Sequence, residues 1–254
     1  MLIKKWFVVC MVLTTVFFGV AGTAYGAAKE SAGYKDWNIT FLGTLQVPGE
    51  LEIIDYKDVV AELLKVIDKE EKLKQIQREK QDINGTAVSP EEMMAVLEKY
   101  NLGIYQFALK NNGSYNTAFV LAAEIPEELK AEGLALFDEL LRQDKKNQEA
   151  IHREIIKGLD EAYAAAPEVK DIFQMEFLEF YPFEQLTNKN VQIVSVGGSV
   201  AVRLFKLVMP AAAKVYFIKN NKDMYVFGVV NSGPDRKLWD NMSKDMLKKA
   251  RWKW

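Results

Sequence analysis

Between residues 191 and 230 the chain offers four strand-forming runs separated by two, four and six residues. Strands joined that tightly can pair only antiparallel, because a parallel pair needs a long crossover. The runs are Val191–Val196, Ser199–Met209, Lys214–Ile218 and Tyr225–Val230. Gly197-Gly198, Pro210-Ala211-Ala212 and Asn220-Asn221-Lys222-Asp223 read as the turns between them. A helix from about Asp235 to Arg251 follows. Its apolar stripe of Trp239, Met242 and Met246 is expected on the sheet, with Lys237, Lys244, Lys248 and Arg251 on the opposite side.

The rest of the chain mixes both periodicities. Trp37–Val47 alternates as one strand and stops at Pro48-Gly49, and Leu51–Ile54 is a second short extended run. Apolar residues then recur at three and four, from Val59 through Ile76, giving a helix over Tyr56–Lys80. Asn84-Gly85 breaks it, and Ser89-Pro90-Glu91-Glu92 opens another. Ile104–Lys110 and Tyr115–Glu124 flank a hairpin turn at Asn111–Ser114. Ile125-Pro126-Glu127-Glu128 begins a helical region reaching about residue 180. The fold class is therefore α+β: an antiparallel sheet, made of the C-terminal four-strand meander plus N-terminal strands, packed by amphipathic helices.

The closing layout of Lys214–Ile218, a turn, Met224–Val230 and a helix ending near Trp252 resembles the PsbP-like α/β/α sandwich group. Val47-Pro48-Gly49 followed by a strand is similar to that group's opening. The resemblance implies a binding or assembly accessory protein without catalysis, and it transfers no functional residue.

The N-terminus carries an address. Lys4 and Lys5 precede an uncharged stretch from Trp6 to Ala28, and Ala24-Tyr25-Gly26 has small residues where a signal peptidase reads. Residues 1–26 are expected to be a signal peptide of bacterial type, 27–36 a flexible tether and 37–254 a single domain. The mature chain would then be periplasmic, extracellular or at the cell surface. The alternative is an uncleaved membrane anchor, since 23 uncharged residues can span a bilayer. The single cysteine, Cys10, lies inside the signal, so a mature chain has no disulfide, thiolate–metal site or cysteine nucleophile.

Composition narrows the chemistry further. The signal holds two of 33 basic residues and none of 35 acidic ones, leaving a mildly acidic chain with no footprint for nucleic acid. Phosphate-cradling glycine loops are absent, so no nucleotide is expected. The lone His152 cannot build a multi-histidine metal site and is expected on a solvated face. Ser195-Val196-Gly197-Gly198-Ser199 lacks the serine between two glycines that a nucleophile elbow needs, and reads as a tight turn.

Two segments hold candidate sites. Phe173–Glu184 interleaves aromatics with acids: Phe177, Phe180 and Tyr181 offer stacking surface for a ligand. Glu176, Glu179 and Glu184 are the carboxylates a polymer hydrolase would use. In the basic tail, Lys248, Arg251, Trp252 and Trp254 suit a partner or an anionic membrane surface. The favoured expectation is an exported, non-enzymatic binding or accessory module of the cell envelope, without cofactor or metal, taking an unknown envelope protein or small ligand. The envelope hydrolase and a peripheral membrane protein are the alternatives.

Overall fold

A computed structural model describes residues 33–57, 101–111, 114–142, 144–165, 173–204, 207–221, 223–232 and 235–254. The signal, most of the tether, the helix read over Tyr56–Lys80 beyond Lys57 and the helix opened at Ser89 lie outside the described residues.

Two antiparallel sheets are built from β1 (Tyr34–Ile39), β2 (Gly43–Pro48), β3 (Glu52–Asp55), β4 (Leu102–Asn111), β5 (Ser114–Glu124), β6 (Phe173–Asn188), β7 (Val191–Leu204), β8 (Leu207–Asn220), β9 (Asp223–Ser232) and β10 (Arg251–Trp252). Three helices accompany them among the described residues: α1 (Glu127–Leu140), α2 (Lys145–Ala165) and α3 (Arg236–Lys249). The larger sheet runs β3-β4-β5-β9-β8-β7-β6, and the smaller runs β1-β2-β10. The protein is α+β.

Each face of the large sheet has its own cover. On one side Ile104, Leu121, Phe217 and Val226 pack against Phe137 of α1 and Ile151 of α2, and the layer continues to Leu159 and Tyr163 beneath Val200 and Ala213. On the other side Phe107, Tyr216, Phe227 and Ile218 pack against Leu45 and Val47 of the small sheet and Trp239, Met246 and Leu247 of α3. β2 shows the period of two that this demands, burying Gly43, Leu45 and Val47 in turn. The stripe expected on α3 is the buried one. Helices α1 and α2 carry the chain from β5, near the middle of the sheet, to its far edge. β6 to β9 then return strand by strand until β9 pairs with β5.

Four local readings are corrected. Trp37–Val47 is a hairpin rather than one strand: β1 and β2 meet at a turn closed by Leu42 N–H donating to the Ile39 carbonyl at 3.0 Å. Tyr34–Asp36, assigned to the tether, belong to β1. Phe173–Asn188 is a strand, so the helical region ends with α2 and does not reach 180.

The fourth concerns the meander. Gly197-Gly198 makes no turn, because β7 runs straight through it. A Cβ at Gly197 would meet the Ala213 carbonyl oxygen at 2.7 Å, and one at Gly198 would meet the Glu179 carbonyl oxygen. The glycines are there for close approach by both neighbouring strands, beside a bulge in β6 between Phe177 and Glu179. Pro210 likewise sits inside β8. It precedes Ala211, the first residue that β9 pairs, so β8 has a neighbour on one side only at that point. The meander does have four strands, but β6 is the first of them and the turn between β7 and β8 falls after Leu204.

Candidate functional site

The two sheets part at one end and leave a cleft of about 590 Å³. Its floor comes from the ends of β4, β5 and β9, with Asn101, Gly103, Tyr105, Glu124 and Tyr225 exposed to the cavity. Asn101, Gly103 and Tyr105 share a face because side chains alternate along a strand. Asn101 enters β4 at φ 44°, a left-handed conformation that asparagine tolerates. Gly103 has no side chain, so the Tyr105 ring lies over it: a Cβ there would be 2.6 Å from the ring. Asp55, the last residue of β3, and Lys57 just beyond it form one side. The roof is the β1–β2 turn (Thr40, Phe41) and the tail residues Lys253 and Trp254.

The roof is fixed through Gly43. β10 crosses β2 there, with Trp252 opposite Gly43, and Lys253 N–H donates to the Leu42 carbonyl at 3.2 Å. Trp254 stacks on Tyr225 with ring centroids 4.4 Å apart, and Trp252 stacks on Trp254 at 5.5 Å. The tail rings are thus laid along the cleft, with Trp254 40% exposed.

Charges of both signs line this cavity. The Asp55 carboxylate accepts the Lys57 backbone N–H at 2.9 Å, and the Glu124 carboxylate accepts Asn101 Nδ2 at a long 3.4 Å. Burial first, then Asp55, hold the Tyr105 hydroxyl well above the usual phenol range. Burial, with Glu124 and Asp223 adding to it, pushes Tyr225 up to about 12. Both phenols therefore stay protonated and are donors at neutral pH. Among the described residues neither Lys57 nor Lys253 has a carboxylate within ion-pair distance.

The residues singled out from the sequence are dispersed. Phe177 and Phe180 stack at 4.6 Å on the face covered by α2, and His152 of that helix stacks on Phe180 at 3.9 Å and meets Phe183 edge-on at 5.3 Å. His152 is therefore half-buried with its Nε2 enclosed, and not on a solvated face. Burial holds its pKa below the usual value, with Glu149 opposing. Tyr181 points to the other face, where its hydroxyl meets Ser199 Oγ at 2.5 Å and the Arg236 guanidinium lies 3.7 Å over its ring.

Glu176 and Glu179 are exposed on β6. Glu184 sits in a four-charge cluster: Lys214 Nζ reaches it at 2.5 Å and Asp240 at 3.0 Å, and Lys244 bridges the same two acids. Lys244, expected on the face away from the sheet, is thus turned toward it. Burial raises the Glu184 pKa, but the two ammonium groups outweigh it and hold it below the usual range. The three glutamates and three aromatics therefore form no common cleft. In the tail, Arg251 lies in β10 and pairs with Asp36, while Lys248 is exposed on α3.

The cleft's floor was not legible beforehand. Asp55, Asn101, Glu124 and Tyr225 are separated by up to 170 positions in sequence and meet only through the order β3-β4-β5-β9. One local signal was available in Gly103, immediately before the strand read over Ile104–Lys110.

No protein-family model matches the chain, and none of the curated proteins does. Among solved structures it is similar to the solution structure of cyanobacterial PsbP from Synechocystis sp. PCC 6803. The identity is 10%, covering 88% of this chain and 96% of that one, with a TM-score of 0.37. It is also similar to the crystal structure of the Saccharomyces cerevisiae Ran-binding protein Mog1p, 11% identical over 85% of this chain and 86% of that one, with a TM-score of 0.29. The PsbP-like resemblance is weak, and no argument about activity rests on it.

Proposed function

We propose that this protein is an exported, non-enzymatic binding module of the cell envelope that holds a small ligand in the cleft between its two sheets. The observation behind the reading is a cavity of about 590 Å³ lined by buried tyrosines and charges of both signs. That size lies within the range of small-molecule sites. Nothing about the Glu176, Glu179 and Glu184 arrangement favours the hydrolase: two face water and the third is held ionised by two lysines. Trp254 stacks on Tyr225 and Trp252 on Trp254, which lays the tail rings against the cleft. Export is read from Lys4, Lys5 and the apolar stretch that follows.

The test is amide-shift mapping of the purified protein during titration with the small-molecule fraction of an envelope extract. Shifts at Gly103, Glu124, Tyr225 and Trp254 are expected. Shifts confined to other surfaces, or none at all, would overturn the cleft as the site. Fractionation of cells expressing the full chain tests the address, and a cytoplasmic product would refute export.

A further inference from the structure

We infer that the ligand class of this cleft is a small zwitterion, an amino acid or short peptide with free ammonium and carboxylate groups. The inference rests on the binding reading above and deepens it.

Glu124 on the floor and Lys253 in the roof carry opposite signs, while Asp55 and Lys57 share one side. Glu124 rises from the floor at the end of β5, and its one hydrogen bond, from Asn101, is 3.4 Å long, which leaves acceptor capacity on both oxygens. Asp55 adds a second carboxylate at the side. Lys253 hangs from the roof, and Lys57 stands where β3 ends. Among the described residues neither lysine is neutralised, although carboxylates line the same cavity. A ligand ammonium on Glu124 and a ligand carboxylate on Lys253 would complete both pairs by charge-assisted hydrogen bonds. An anion alone would share the cavity with Glu124 and Asp55, and a cation alone with the two lysines, so each singly charged class meets repulsion. The Tyr105 and Tyr225 hydroxyls, held protonated, are donors for a carboxylate or an amide carbonyl. Their rings and Trp254 give an apolar wall for the ligand's body.

The proposal is tested by calorimetry and amide-shift mapping with a panel of free amino acids and dipeptides bearing apolar, acidic and basic side chains. The N-acetylated and C-amidated forms of the best binder are run alongside. At least one free zwitterion is expected to bind and shift Gly103, Glu124 and Tyr225, and either blocking group should weaken it at least tenfold. Glu124→Gln should reproduce the loss caused by acetylation, and Lys253→Met the loss caused by amidation. Both positions are solvent-accessible, and an unchanged amide spectrum outside the cleft confirms that each variant folds. Blocked forms binding as tightly as the free ones, or no panel member binding, would overturn the zwitterion. If neutral disaccharides in a parallel titration shift the same amides, the zwitterion falls while the cleft stands. If envelope small molecules, disaccharides and the panel all leave those amides unmoved, the cleft reading falls too.

Discussion

A methyl group at position 43 would meet the Arg251 carbonyl oxygen at 2.5 Å and the Lys253 nitrogen at 2.9 Å, on a backbone with φ 132° that side chains rarely adopt. Gly43 is thus where conformational freedom and close approach coincide, and it sets the height of the cleft's roof. Gly43→Ala is expected to cost about 1–3 kcal/mol in urea unfolding. It should also release Trp254 from Tyr225, read as a change in tryptophan fluorescence. Lys214 works by charge instead. Its side chain is 9% exposed and holds Glu184 and Asp240 together. Lys214→Met should cost about 1–3 kcal/mol, since it leaves half-buried carboxylates with Lys244 as their remaining partner. At this scale sequence reasoning placed the α3 stripe but misread Gly197-Gly198. A glycine pair needed for tight strand packing looks the same in sequence as one needed for a turn.

β6 explains why the acidic aromatic segment looked like chemistry. It is an edge strand of the large sheet, and an unpaired edge invites pairing with another chain. Two register shifts, Pro182, and the exposed Glu176 and Glu179 all discourage that pairing. The same irregularities hid the strand, because bulges break the period of two on which strand recognition depends. Exposed along this edge, Glu176 and Glu179 set like charges against an approaching strand. The double variant Glu176→Val/Glu179→Val should self-associate in a concentration-dependent way by light scattering, with little change in the unfolding midpoint. A variant that stays monomeric at millimolar concentration would show that the bulges alone suffice. By contrast β4 and β5, paired without a register shift from Leu102 opposite Ala123 to Asn111 opposite Ser114, were legible from their alternation and turn residues.

For the molecule as a whole, two faces with separate cores make stability depend on distinct groups. His152 ties α2 to β6 in its neutral form. With its folded pKa below the unfolded value near 6.5, the unfolded chain binds the proton first as the medium acidifies. Stability should therefore be complete above about pH 6.5 and decline below it. Glu184, also depressed, adds its own loss at lower pH, below about 4.5. His152→Phe should keep the stack and flatten the first decline while leaving the second, as read by melting temperature against pH. An unaltered profile would mean that the ring titrates as freely in the folded state as in the unfolded one. The α+β class was readable from periodicity alone. The second sheet was not, since β10 lies more than two hundred residues from the β1–β2 hairpin and only the folded chain brings them together.

That small sheet joins the earliest described strands to the latest one. During synthesis this sheet cannot be completed until residue 252 has been made, so β1 and β2 lack their third strand until then.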